Sequence, residues 1–162
     1  MNIEQMITYD EGVENKLYRC SENFWTIGIG HLVTRENCSK ERAIKILDSQ
    51  IGRATGGAIT SQEISSLFAI DLVAVERGIR QSAYSGVYER LDDARKMALT
   101  NMTFQLGTGG VSKFKKFLAA LDRKDWVVAE REGFDSLWAR QTPNRARRVM
   151  SIIRNGDLKS YR

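Results

Sequence analysis

The sequence predicts an α+β chain that is mostly helical. A small N-terminal β-hairpin or sheet lobe is joined by a long helix to a C-terminal helical lobe. Three observations carry this expectation. Strand-forming residues concentrate in one stretch, residues 16–31. An uninterrupted helical stripe runs from 60 to about 80, and every segment after it has helical periodicity. At 162 residues the chain has room for one domain of two small lobes, expected over 1–59 and 81–162, with 60–80 as the connector and the first helix packing on the C-terminal lobe.

The first helix reads from Ile3 to Glu11, with Ile3, Met6 and Ile7 at helical spacing and Gly12 as its stop. "KLYRC" and "FWTIGIGH" follow, rich in aromatic and β-branched residues, with "SEN" turning between them. Period-two alternation would put Thr26, Gly28 and Gly30 on one strand face, a bare surface with one hydroxyl; a bulge or tight twist is the other reading. The next helix runs from Ser39 to Ile51, with Ala43, Ile44, Leu47 and Ile51 on one side. Thr60 and Glu63 have capping-box spacing, and Ile64, Leu67, Phe68, Leu72, Val75 and Ile79 make the stripe of the long helix. About 20 helical residues span roughly 30 Å. "LDDARKMALTNMTFQLG" ends on glycine, two short amphipathic segments follow, and the last helix opens at Thr142-Pro143 and closes at Gly156.

Asp71 falls inside the apolar stripe, where a carboxylate is costly unless paired. His31, the one histidine, is its natural partner, and such a pair would raise the imidazole pKa. Cys20 and Cys38 make neither a disulfide framework nor, with a single histidine, a zinc site, so no metal or other cofactor is expected. The net charge of +5 is partly local, since "RQTPNRARRVMSIIR" holds five arginines and no acid. That segment is either a solvated helix face or a patch for a polyanion; a nucleic-acid-binding reading would require salt-sensitive binding to DNA. No apolar run approaches the roughly 18 residues of a membrane span, and the first residues lack the basic start and apolar core of a secretory signal. Accumulation in the cytoplasm of the producing cell is therefore the expectation.

Glycosidic bonds are commonly cut by two groups flanking the bond, one protonating the leaving oxygen and the other activating water or attacking the sugar. Glu11, at a helix end beside a glycine, suits the acid, although an ordinary surface glutamate would have the same neighbours in sequence. The blocks "DEG", "TIGIGHLVT", "IGR", "RGI", "FQ" and "QTPNRA" occur in order and at nearly constant spacing with a known pattern. On them the chain resembles the T4-type phage lysozymes, endolysins of glycoside hydrolase family 24. The resemblance implies two lobes with an active cleft between them, and cleavage of the β-1,4 bond between N-acetylmuramic acid and N-acetylglucosamine in peptidoglycan. The family's catalytic spacing, Glu, then Asp or sometimes Cys, then Thr, falls on Glu11, Cys20 and Thr26. By the same matching Leu32 and Phe104 line the saccharide cleft, Gln105 lies nearby, and Arg145 pairs with Glu11 across the lobes. His31 and Asp71 match a structural ion pair. Glu132 and Phe117 depart from the small or amide residues expected at the cleft rim.

The resemblance also implies a monomer that binds peptidoglycan glycan strands, takes no nucleic acid, does not insert in the membrane, and depends on a separate pore-forming protein, a holin, for release from the host cytoplasm. Under it the arginine-rich segment serves attraction to anionic wall polymers. The thiol leaves three roles open for Cys20: a base for a water also held by Thr26, a nucleophile forming a thioglycosyl intermediate, or a spacer that makes room for water. A catalytically attenuated, wall-binding relative would share every one of these motifs.

Overall fold

The computed structural model describes residues 1–162. The chain divides into two compact units, one of Ile7–Leu72 and one of Met1–Met6 with Val73–Arg162. The divisions fall inside two helices, α1 (Ile3–Glu11) and α3 (Ser61–Gln81).

The smaller unit holds an antiparallel sheet of order β1 (Glu14–Arg19), β2 (Trp25–Gly28) and β3 (His31–Thr34). The stretch "FWTIGIGH" is thus two strands rather than one. Gly28 at φ 68° and Gly30 at φ 60° adopt left-handed backbone, which ends β2 and reverses the chain before β3. Gly30 consequently leaves the β2 face on which strict alternation would have put it. The outer edge of β1 is covered by the loop before α3, where Leu17 N–H donates to Gly57 O at 2.9 Å and Ile59 N–H to Asn15 O at 2.9 Å. An edge paired in this way is protected from adding a foreign strand.

Helix α2 (Lys40–Ile51) starts where the Ser39 side chain accepts from Arg42 N–H, and stops at left-handed Gly52, φ 91°. It buries Ala43 and Leu47. The capping box of α3 is reciprocal. Thr60 Oγ1 accepts Glu63 N–H at 3.2 Å, and Glu63 Oε1 accepts Thr60 N–H at 2.9 Å. Glu63 also takes both Nε and Nη2 of Arg53, at 2.8 and 2.6 Å, and that guanidinium holds its carboxyl down at about 2. Of the α3 stripe, Ile64, Leu67, Phe68 and Ile79 are buried, whereas Leu72 and Val75 are half-buried.

The larger unit is helical: α4 (Ser85–Glu89), α5 (Asp93–Ser112), α6 (Lys115–Asp122), α7 (Trp126–Phe134), α8 (Leu137–Gln141) and α9 (Pro143–Asn155), then a 3-10 turn at Lys159–Tyr161. Gly107, at φ 74° and ψ 166°, breaks α5 where the sequence places a helix end. Met6, Leu99, Met102, Phe117, Trp138 and Ile152 are among its core residues. Helices α7 and α9 meet closely at Gly133, where any Cβ would collide with the Met150 sulfur. Thr142 occupies the start of α9 but does not cap it; its hydroxyl donates backwards to Trp138 O at 2.9 Å. The last helix is not a uniform basic face either. Within it Arg147 and Arg154 are exposed, Arg148 is half-buried and Arg145 is buried, while the exposed Arg140 belongs to α8.

Arg95 closes the far end of α9. Its guanidinium donates to Ile153 O at 2.7 Å and Arg154 O at 3.3 Å, pairs with Asp92 at 3.0 Å, and lies 3.7 Å over the Trp126 ring. A cation there satisfies carbonyls that the helix itself leaves open.

Candidate active site

Glycine fixes the position of Glu11. Gly12 takes φ 73° and donates its N–H to Thr8 O at 2.8 Å, so α1 stops with Glu11 as its last residue. The Glu11 carboxyl then rests against the β2–β3 turn. A Cβ built on Gly30 would lie 2.9 Å from the Glu11 carboxyl carbon and 3.0 Å from its Oε2.

The β1–β2 hairpin holds the other two residues of the expected trio. Asn23 N–H donates to Cys20 O at 2.8 Å, and Asn23 adopts φ 68°, a left-handed conformation that asparagine tolerates. Phe24 O then accepts twice, from Cys20 N–H at 2.9 Å and from Thr26 Oγ1 at 2.9 Å. One carbonyl therefore ties the backbone of Cys20 to the hydroxyl of Thr26. With its proton committed to that carbonyl, the Thr26 oxygen is left with its lone pairs, as an acceptor.

Across the sheet Tyr18 pairs with Thr26, and Thr26 with Leu32, so these three stand in one row. Burial, followed by the negative fields of Glu11, Cys20 and Glu14, pushes the Tyr18 phenol above its ordinary value. Intervening residues serve the other side of the hairpin. The Arg19 guanidinium lies 4.2 Å over the Trp25 ring, and Cys38 O accepts from Trp25 Nε1 at 3.0 Å and Arg19 Nη2 at 3.2 Å. The segment holding Cys38 is thus fastened to Arg19 and Trp25. Both cysteines are free thiols.

His31 opens β3, with Nδ1 2.7 Å from Asp71 Oδ2 and Nε2 2.8 Å from Gln50 Oε1. Gln50 Nε2 donates to Val33 O at 2.9 Å, which turns the amide oxygen towards the ring. Both imidazole nitrogens therefore face acceptors, an arrangement that only the doubly protonated ring satisfies. Burial works against that charge, but the Asp71 hydrogen bond and charge, with the Gln50 hydrogen bond, outweigh it and raise the His31 pKa. The side chains are 12% and 26% exposed, so Asp71 is half-buried rather than enclosed. With both nitrogens engaged, the ring clamps β3, α2 and α3 together.

The remaining expected residues lie in the larger unit. Gln105 Oε1 accepts Trp138 Nε1 at 2.7 Å, two residues before the break in α5 at Gly107; Phe104 is its half-buried neighbour. Arg145, 7% exposed, donates Nε and Nη2 to Asn101 Oδ1 at 3.0 and 2.7 Å, and Asn101 Nδ2 donates to the Tyr161 hydroxyl at 3.2 Å. The structure thus gathers Glu11, Cys20, Thr26, Leu32, His31 and Asp71 in one unit, and Phe104, Gln105 and Arg145 in the other. Sequence reading missed Tyr18, the Phe24 carbonyl, Gln50 and Asn101. Tyr18 had one available signal, its place two residues before Cys20 in a stretch of strand-forming residues.

The family model for phage lysozyme matches residues 8–153. The chain belongs to the phage lysozyme family. As a member it is a lysozyme, a glycoside hydrolase, and the likeness read from "TIGIGH" and "QTPNRA" extends over nearly the whole chain. It is 43% identical to probable T4-type lysozyme 2 of Dictyostelium discoideum, over 99% of this chain and 98% of that protein. It is also 43% identical to the pre-baseplate central spike protein Gp5 of Enterobacteria phage T4, over 99% of this chain but only 29% of that protein. A weaker likeness, 24% identity over 84% of this chain and 13% of the relative, joins it to the peptidoglycan hydrolase gp36 of Pseudomonas phage phiKMV.

Proposed function

We propose that this lysozyme hydrolyses the β-1,4 bond between N-acetylmuramic acid and N-acetylglucosamine in peptidoglycan, with Glu11 as general acid, Cys20 as general base and Thr26 holding the attacking water. The observation that carries this reading is the Phe24 carbonyl shared by Cys20 N–H and Thr26 Oγ1. It ties the backbone of residue 20 and the hydroxyl of Thr26 to a single peptide group, which supports reading the two residues as partners in gripping one water.

Glu11 gives its proton to the glycosidic oxygen as the bond from that oxygen to the anomeric carbon breaks. A water whose O–H points to the Thr26 oxygen loses a proton to the Cys20 thiolate, and its oxygen bonds to the anomeric carbon from the opposite face. The sugar leaves with inverted configuration. Glu11 ends as carboxylate and Cys20 as thiol, and proton exchange with solvent resets both. A thiolate is a stronger base than a carboxylate, which suits Cys20 to take the proton of the attacking water.

The proposal extends to Leu32, Phe104, Gln105 and Arg145 as residues that bind the sugars. It includes a monomer that acts in host lysis from the host cytoplasm after a holin opens the inner membrane. No helix is long and apolar enough to cross a membrane, which fits an enzyme that needs such a route. Digestion of purified sacculi, borohydride reduction and mass spectrometry test the bond. N-acetylmuramitol ends are expected; N-acetylglucosaminitol ends, or no digestion, would overturn the assignment. Proton NMR of the first anomer released from a peptidoglycan oligosaccharide tests the stereochemistry, and a retained configuration would exclude Cys20 as base.

A further inference from the structure

We propose that Gly30 is a positioning residue for the catalytic acid: its bare Cα is the surface on which the Glu11 carboxyl is seated, and any side chain there displaces the proton donor. The inference rests on the reading of Glu11 as general acid. A Cβ at residue 30 would lie 2.9, 3.0 and 3.1 Å from Glu11 Cδ, Oε2 and Cγ, so its three nearest neighbours all belong to that one side chain. Distances this short exceed what side-chain packing accommodates without movement. The group that moves is the end of Glu11, because Gly30 is held between two strands by its left-handed backbone, φ 60°. The turn thus has two separable requirements, a backbone conformation that glycine adopts readily and an empty volume that the carboxyl fills.

Gly56 separates them. It belongs to the same unit and has φ 63°, yet nothing lies within 4 Å of a Cβ built on it. Gly56→Ala therefore carries the backbone strain alone, and Gly30→Ala carries the strain together with the encounter with Glu11. Misplacing a reacting group by about an ångström lowers turnover roughly 100-fold, and the loss falls on kcat because substrate binding is not the step disturbed.

The test measures kcat and KM on soluble peptidoglycan fragments, and thermal unfolding, for Gly30→Ala, Gly56→Ala and Glu11→Ala, and for Gly30→Ala combined with Glu11→Ala. Expected are a ~100-fold fall in kcat with KM nearly unchanged for Gly30→Ala, and unchanged kcat for Gly56→Ala. Gly30→Ala should lower the melting temperature more than Gly56→Ala does, and that excess should disappear in the Glu11→Ala background, where the colliding atoms are gone. Should Gly30→Ala fail to fold alone but fold when combined with Glu11→Ala, the inference stands on stability alone. Failure to fold in both backgrounds, an excess that persists without Glu11, or a kcat equal to that of Gly56→Ala would overturn it. Glu11→Gln keeps the two readings apart. If that variant turns over normally, the assignment of Glu11 as acid falls; if it is inactive while Gly30→Ala matches Gly56→Ala, only the seating role falls.

Discussion

Replacing Asp71 by asparagine removes a charge and leaves the shape and an acceptor oxygen in place, so it isolates the ionic part of the His31 clamp. In the folded chain the imidazolium faces Asp71 Oδ2 at 2.7 Å, with the two side chains 12% and 26% exposed. At an effective dielectric of about 20, attraction between charges some 4 Å apart amounts to about 4 kcal/mol, and residual solvation of Asp71 reduces the net loss to about 3 kcal/mol. For a chain of this length, that is a fall in melting temperature of about 9 °C. The sign of the pH dependence follows from the raised His31 pKa. Below the ordinary histidine value near 6.5, folded and unfolded chains both bind the proton and the clamp contributes fully. As pH rises through the folded value, the native ring loses its proton and the contribution fades. The gap between native protein and Asp71→Asn, read by thermal unfolding at pH 5.5 and pH 9.5, should therefore be widest at pH 5.5. A gap of equal size at both, or one that grows with pH, would show that Asp71 acts as a neutral hydrogen-bond partner and would refute the reasoning.

Three further outcomes are expected. Carboxymethylation of Cys20 in a Cys38→Ser background should abolish peptidoglycan digestion, followed by turbidity loss of permeabilised cells; full activity after quantitative modification would remove the thiol from the chemistry. Glu63→Gln should lower the melting temperature at pH 7, because a carboxyl held near 2 contributes stability above its ordinary value of 4.5 and loses it as pH falls through about 2. The variant and the native protein should therefore converge in thermal scans at pH 2. Arg95→Ala strips hydrogen bonds from two carbonyls at the end of α9 and uncovers Trp126, so denaturant unfolding should show a loss of about 3 kcal/mol.

The helical part of the fold was legible because its signals are local. Ser39, Thr60 with Glu63, and Gly156 mark helix ends within three or four residues of the groups they serve. The third strand was not legible, because alternation runs unbroken through "TIGIGH" and does not distinguish a long strand from two strands hinged at left-handed glycines. Arg145 and Arg95 show the same limit. By composition and periodicity each is one more cation in a basic chain, and only the family resemblance singled out Arg145; what distinguishes them physically is burial against Asn101 or against the carbonyls of α9, contacts made 44 and 58 positions away. Gln50 was invisible for a similar reason: its value lies in bridging His31 and Val33, on strand positions that no helical periodicity reports.

The contacts that define the hairpin of Cys20 and Thr26 run mostly through backbone, and this bears on how a thiol comes to stand at residue 20. The placement of residue 20 is set by its own N–H on Phe24 O and by its carbonyl receiving Asn23 N–H, neither of which involves its side chain. Thr26 is anchored to the same carbonyl by its hydroxyl, and Glu11 is seated on a residue without a side chain. A hairpin built in this way holds its geometry while the side chain at residue 20 varies, so the choice between carboxylate and thiol alters basicity and nucleophilicity without moving the acid or the threonine. The demands that the chemistry makes on identity therefore fall unequally. On the proposed mechanism they are strict for Gly30 and Thr26, which seat the acid and meet the water, and looser for residue 20, whose position is set by its backbone hydrogen bonds.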